Sequence, residues 1–173
     1  MRGIEIGVHL AVHSVRMLES HQKLVLLGVD LWEEHARRGT TYLKTFGRLP
    51  GQFANEETAL AWHQRAVEAL RPYGERSILF CESSEENAVR WPDESFDFVY
   101  IDGDHSYAGF SADLKMWWPK VKQGGFLAGH DYEWPDIAKA LGEFFPDGVR
   151  CNNAARETGK CWLREKLYKE WWE

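Results

Sequence analysis

Two kinds of hydrophobic pattern alternate along this chain. Short runs of consecutive apolar residues read as buried strands, and longer stretches with apolar residues three and four apart read as amphipathic helices. Strand runs fall at residues 3–6, 24–29, 77–80, 96–101 and 125–128, the last following a turn at Gly124 and Gly125. Helical spacing marks residues 11–21 (Val12, Val15, Met17, Leu18) and 56–71 (Ala59, Leu60, Trp62, Ala66, Val67, Leu70), with Asn55 placed to cap the second. It also marks 83–90, which opens on a cap-like Ser-Ser-Glu-Glu, then 107–118 before Pro119, and 134–145. Residues 148–151 and 160–164 predict a closing β-hairpin around a polar loop, and 165–173 a short terminal helix. Strands alternating with helices predict an α/β chain with a parallel sheet covered on both faces. One stretch, residues 31–55, fits neither pattern. It carries His35, Arg37, Arg38, Lys44 and Arg48 among Gly39, Gly47, Pro50 and Gly51, and its length predicts a lid or mobile loop over a site.

Composition narrows the picture without naming a chemistry. A length of 173 residues fits one domain spanning 1–173, and 44% hydrophobic residues supply its core. A net charge of −6 argues against a protein built to coat nucleic acid or an anionic membrane. No apolar run approaches the ~20 residues of a membrane span. The N-terminus lacks a signal-peptide pattern. Cys81, Cys151 and Cys161 are odd in number and without CxxC spacing, which predicts reduced thiols and a cytoplasmic location.

Candidate chemistry gathers where strands end, the edge at which open α/β sheets bind ligands. The first strand closes on Glu5-Ile6-Gly7 and turns into a helix, a place where backbone can approach a nucleotide-like ligand. His9 and His13 lie beside this loop. The full GxGxxG spacing is absent, which disfavours a nicotinamide-dependent oxidoreductase. Asp30 closes the second strand; it suits ribose hydroxyls, since a carboxylate accepts two hydrogen bonds from a cis-diol, or a turn cap. Trp32, just after that corner, is placed to stack on a purine or wall a pocket. Glu82 and Ser83 follow the third strand and face either an adenine edge or the cap of the next helix. Asp102-Gly103-Asp104-His105 ends the fourth strand and can bind a divalent cation, move a proton or cap its own turn. His130 and Asp131 end the fifth. With strands four and five adjacent, Asp102, His130 and Asp131 form an oxygen-rich metal-site candidate, and Asp102, His105 and His130 are the catalytic candidates.

These pieces together resemble a small class I S-adenosylmethionine (SAM) methyltransferase. The resemblance rests on Glu5-Ile6-Gly7, Gly28-Val29-Asp30, the run from Tyr100 to Tyr107 (YIDGDHSY) and the run from Gly124 to Tyr132 (GGFLAGHDY). It implies a Rossmann-like doubly wound sheet of seven strands in the order 3-2-1-4-5-7-6 with strand 7 antiparallel. It implies that Glu5 and Gly7 line the methionine part of SAM, that Asp30 binds its ribose, that Glu82 and Ser83 lie near adenine, and that Asp102 sits below the sulfonium. The group is also similar to metal-dependent O-methyltransferases, which implies Mg²⁺ or another divalent cation at Asp102 and a base at His105. The acceptor implied is a small-molecule hydroxyl. Ala11 stands where many relatives have glycine, and where relatives often use helices before strand 1 to cover the site, the resemblance implies that residues 31–55 or a partner chain serve instead. Alternatives of other classes are a non-catalytic SAM- or partner-binding domain and a metal-dependent hydrolase.

Overall fold

The computed structural model describes residues 1–32, 56–152 and 160–167. The expected lid therefore lies outside the described residues beyond Trp32, as do Asn55 and most of the expected terminal helix.

Strands β1 (Arg2–Ile6), β2 (Val25–Asp30), β3 (Ser77–Cys81), β4 (Phe96–Ile101), β5 (Val121–Gly129), β6 (Arg150–Cys151) and β7 (Trp162–Glu165) form one sheet. Its order is β3-β2-β1-β4-β5-β7-β6, with β7 antiparallel to both neighbours and the rest parallel. Helices α1 (Val12–Ser20), α2 (Glu56–Leu70), α3 (Ser84–Ala88), α4 (Tyr107–Trp117) and α5 (Pro135–Phe144) connect them. This is the order the resemblance implies.

The central strands are buried on both faces, which is why they read as unbroken apolar runs. One core joins Ile4, Ile6, Val99 and Ile101 to Phe110, Leu114 and Trp117 of α4 and to Ile137 and Leu141 of α5. The other joins Leu26 and Phe98 to Val8, Ala11 and Leu18 on the α1 side and to Ala66 and Leu70 of α2. Among the described residues no helix is long and apolar enough to cross a membrane.

Two local expectations change. The fifth strand does not begin after a Gly124–Gly125 turn; β5 starts at Val121 and runs through it. The glycine pair is a bulge instead. Gly124 takes φ +77°, and the register against β4 slips between the Phe96↔Val121 and Phe98↔Phe126 pairs. The C-terminal helix does not begin at Glu165, because that residue is the end of β7 and pairs with Phe126. The next residue, Lys166, donates through Nζ to the carbonyls of Trp118, Pro119 and Val121, tying this end to the start of β5.

Helix α3 shows how the site edge is built. Ser83 accepts from the Glu86 backbone N–H at 3.1 Å, while the Glu86 carboxylate accepts from the Ser83 N–H at 3.0 Å. This reciprocal cap satisfies two end donors that a five-residue helix would otherwise leave open. Replacing Ser83 by Ala is expected to cost about 1 kcal/mol and to lower the melting temperature by roughly 2–4 °C, read by thermal denaturation.

Candidate active site

The C-terminal ends of β1, β2, β4 and β5 bring two polar groups together, with Asp102 between them. The first surrounds the β1–α1 turn. Gly7 has φ +87°, and a Cβ there would sit 2.0 Å from the Asp102 carbonyl oxygen. The turn thus needs glycine for its backbone and for the contact. Asp102 N–H in turn donates to the Ile6 carbonyl at 2.7 Å, locking the ends of β1 and β4. An open cleft of about 170 Å³ results, lined by Glu5, Gly7, Val8, His9, Leu10, Val12, His13 and Asp102.

Glu5 is buried, at 1% exposure. It accepts from the Ser14 hydroxyl and pairs with His13 Nδ1 at 2.9 Å. Burial raises its pKa, opposed by the His13 and Ser14 contacts. Asp30 is held by three backbone donors: Val8 N–H at 2.9 Å and His9 N–H at 2.8 Å on Oδ2, and Trp32 N–H at 3.0 Å on Oδ1. Of the roughly four lone-pair sites of a carboxylate, about one is left for a hydroxyl. The expected two-bond grip on a cis-diol is therefore reduced to one bond, and much of Asp30's work is to tie β2 to the loop.

Other expected contacts resolve differently. Trp32 is only 2% exposed; its Nε1 donates to the His9 carbonyl at 2.8 Å and its ring stacks on His63 at 4.7 Å. It braces the loop from within and does not present a free face to a purine. Glu82 is gripped by Arg90, whose Nε and guanidinium NH2 donate at 3.0 and 2.6 Å, and Ser83 is the α3 cap. Both side chains are committed to the α3 turn. Ala11 takes the left-handed φ +60° that favours glycine, but it is fully buried in the second core and does not line the cleft.

The second group lies where β4 and β5 end. His105 Nε2 is 2.7 Å from Asp131 Oδ2 and 3.4 Å from Asp102 Oδ1. The donor atoms of these three residues all lie within 4.8 Å of one another, close enough to share a cation. His130, expected among the ligands, stands one step further out, with Nδ1 on Asp131 Oδ1 at 2.9 Å. Asp104 holds the turn by accepting from Ser106 N–H at 2.8 Å, and Ser106 caps α4 by accepting from Gly109 N–H. The exposed Trp134 ring borders His105 at 5.3 Å.

Burial alone would lower the His105 pKa, but hydrogen bonds and charge from Asp102 and Asp131 outweigh it and raise it to about 9. Burial works against ionised Asp131 too, yet its contacts with His105 and His130 leave its pKa below the usual carboxylate range. His105 thus carries a proton at neutral pH while it lies between the two carboxylates. An imidazolium holds a proton and does not accept one, so the expected role of an unassisted base near pH 7 does not follow from this arrangement.

Two features escaped the sequence reading. Asp113, 4% exposed, bonds Ser84 Oγ, which also accepts from Trp117 Nε1 at 2.8 Å; burial raises the Asp113 pKa to about 7. Its signal was a lone acid on the apolar stripe Phe110, Leu114, Trp117. The Glu5–His13 pair was hidden because strand, turn and helix had to fold back to close it.

A family model described as a methyltransferase domain matches residues 4–132. The chain belongs to the class I SAM-dependent methyltransferases. No curated protein matches its sequence. Its fold is similar to that of CalS11, a calicheamicin methyltransferase (TM-score 0.66, 16% identity, 94% of this chain and 71% of that one). The O-methyltransferase NovP is also similar (TM-score 0.64, 18% identity, 94% and 71%). So is an O-methyltransferase from Bacillus cereus solved with S-adenosylhomocysteine, SAH (TM-score 0.59, 11% identity, 94% and 72%). At these identities the likeness is one of fold. The cleft suits the family's cofactor on its own chemistry: Asp102 gives it an acidic side suited to a sulfonium or an ammonium, and Gly7 lines it without a side chain.

The cluster is expected to make the fold sensitive to alkali. An imidazole whose pKa rises from 6.5 to about 9 on folding stabilises the native chain fully below about pH 6.5 and ceases to do so as pH passes 9. Asp131, depressed on folding, acts in the opposite sense and loses its contribution at acid pH. With metal chelated, the urea midpoint should fall between pH 6.5 and 9.5, and His105→Gln should flatten that fall. A slope unchanged in the variant would contradict the assignment.

Proposed function

We propose that the chain transfers a methyl group from SAM to a hydroxyl of a small molecule, with a divalent cation held by Asp102, His105 and Asp131. One observation carries this reading: Asp102 lines the cofactor cleft and also belongs to the cation-competent cluster, so both reactants meet at a single carboxylate. The likeness to proteins named as O-methyltransferases supports the choice of oxygen.

SAM supplies a methyl on a positive sulfur, and a cation at this site would lower the pKa of a bound hydroxyl and orient it. The protein's own contribution is mostly positioning. Gly7 and Asp30 fix the loop under the cofactor. Asp102 and Asp131 offer oxygens and His105 a nitrogen, a donor set suited to Mg²⁺ or Mn²⁺. As a ligand His105 would be neutral, so a cation held there near neutral pH would displace its proton. His130 orients Asp131 from behind through their 2.9 Å contact.

Mn²⁺ binding followed by electron paramagnetic resonance tests the cluster. Asp131 has φ +57°, which asparagine tolerates, so Asp131→Asn is expected to fold. Loss of a direct ligand should weaken Mn²⁺ by at least the roughly 10–100-fold that loss of an outer-shell partner costs, and lower transfer of labelled methyl from SAM to a panel of phenols and sugars by a similar factor. Chelator should abolish transfer in the unmodified chain. Methyl transfer that persists with chelator and in the variant would overturn the metal assignment. SAH binding without transfer to any hydroxyl would overturn the acceptor assignment.

A further inference from the structure

The His13 side chain has no part in the chemistry above, yet it lines the same cleft. Glu5 is a buried carboxylate whose Oε2 is already satisfied by the Ser14 hydroxyl. Its other oxygen holds His13 Nδ1 at 2.9 Å. The His13 side chain is 40% exposed and lines the cleft beside Gly7 and Asp102. Its ring also lies against Tyr100, with centroids 4.2 Å apart. One nitrogen and one ring contact fix the plane of the imidazole. The opposite nitrogen, Nε2, has no hydrogen-bond partner among the described residues.

We propose that His13, oriented by Glu5, binds the amino-acid head of the cofactor through Nε2, and so selects ligands that carry that head. This rests on the reading of the cleft as a SAM site. The head is a zwitterion, with an ammonium that donates and a carboxylate that accepts. Nε2 therefore finds a partner there in either tautomer. Two imidazoles line the cleft; His9 lies edge-on against Trp62, whereas His13 is the one whose ring is set by a buried carboxylate.

Two ligands separate this role from a structural one: SAH, which has the amino-acid head, and 5′-methylthioadenosine, which lacks it. Asparagine places a polar atom near the Nδ1 position, so His13→Asn keeps a partner for Glu5 and removes Nε2. Glutamine reaches the Nε2 position, so His13→Gln serves as the rescue. Calorimetric titration should show SAH weakened about tenfold in His13→Asn, with methylthioadenosine within about twofold of the unmodified chain. His13→Gln should recover part of the loss. Equal weakening of both ligands, or no change in either, would overturn the proposal. If the unmodified chain binds methylthioadenosine and SAH equally well, the cleft is an adenosine site and the proposal alone fails. If it binds neither, the SAM reading fails and the proposal with it. Should His13→Asn not fold, as read by its melting curve, the same ligand pair on His13→Ala decides between these outcomes.

Discussion

The close approach of Gly7 to Asp102 is the constraint on which the site depends. No side chain fits between the β1 turn and the β4 end, since a Cβ on Gly7 would fall 2.0 Å from the Asp102 carbonyl oxygen. The 2.7 Å bond from Asp102 N–H to the Ile6 carbonyl closes the same seam. Two strands distant in sequence therefore end level. Asp102 is shared by the cleft at the β1–α1 turn on one side and by the His105–Asp131 cluster on the other. Moving either strand by one residue would separate the two groups and turn the carboxylate to the opposite face.

Electrostatics then gives the two sides different characters. On the cleft side, Glu5 is buried with neutral or imidazole partners and its pKa is raised, with Asp102 adding to the rise. On the cluster side, two carboxylates flank one imidazole and raise it to about 9. The proton on His105 offsets only part of the charge of the two carboxylates that flank it. With a neutral imidazole, that same pair of acids would balance a divalent ion.

Most of the fold could be read from pattern, because the strands of a doubly covered parallel sheet are unbroken apolar runs. Phe96–Ile101 is the plainest case, with its expected and observed bounds identical. The Gly124 bulge was misread as a turn because its register depends on β4 across the sheet. In the site, Asp102, His105 and Asp131 were identifiable as strand-end residues, but which of His105 and His130 faces Asp102 depends on side-chain rotation. Ser83 suits either a cofactor contact or a helix cap from sequence, and it is the cap, accepting from the Glu86 N–H. Glu82 and Trp32 suit cofactor contacts, but their side chains are claimed by nearer partners, Arg90 and the His9 carbonyl. Local partners win in such cases because they cost little chain entropy to reach.

A crystal structure of the chain grown with SAH would test the central claim most directly. The account predicts density over the Gly7 turn, with the amino-acid end beside His13, a ribose hydroxyl at Asp30 and the sulfur facing Asp102. Well-occupied SAH bound away from the β1–α1 turn, or lying there with its sulfur turned away from Asp102, would contradict it.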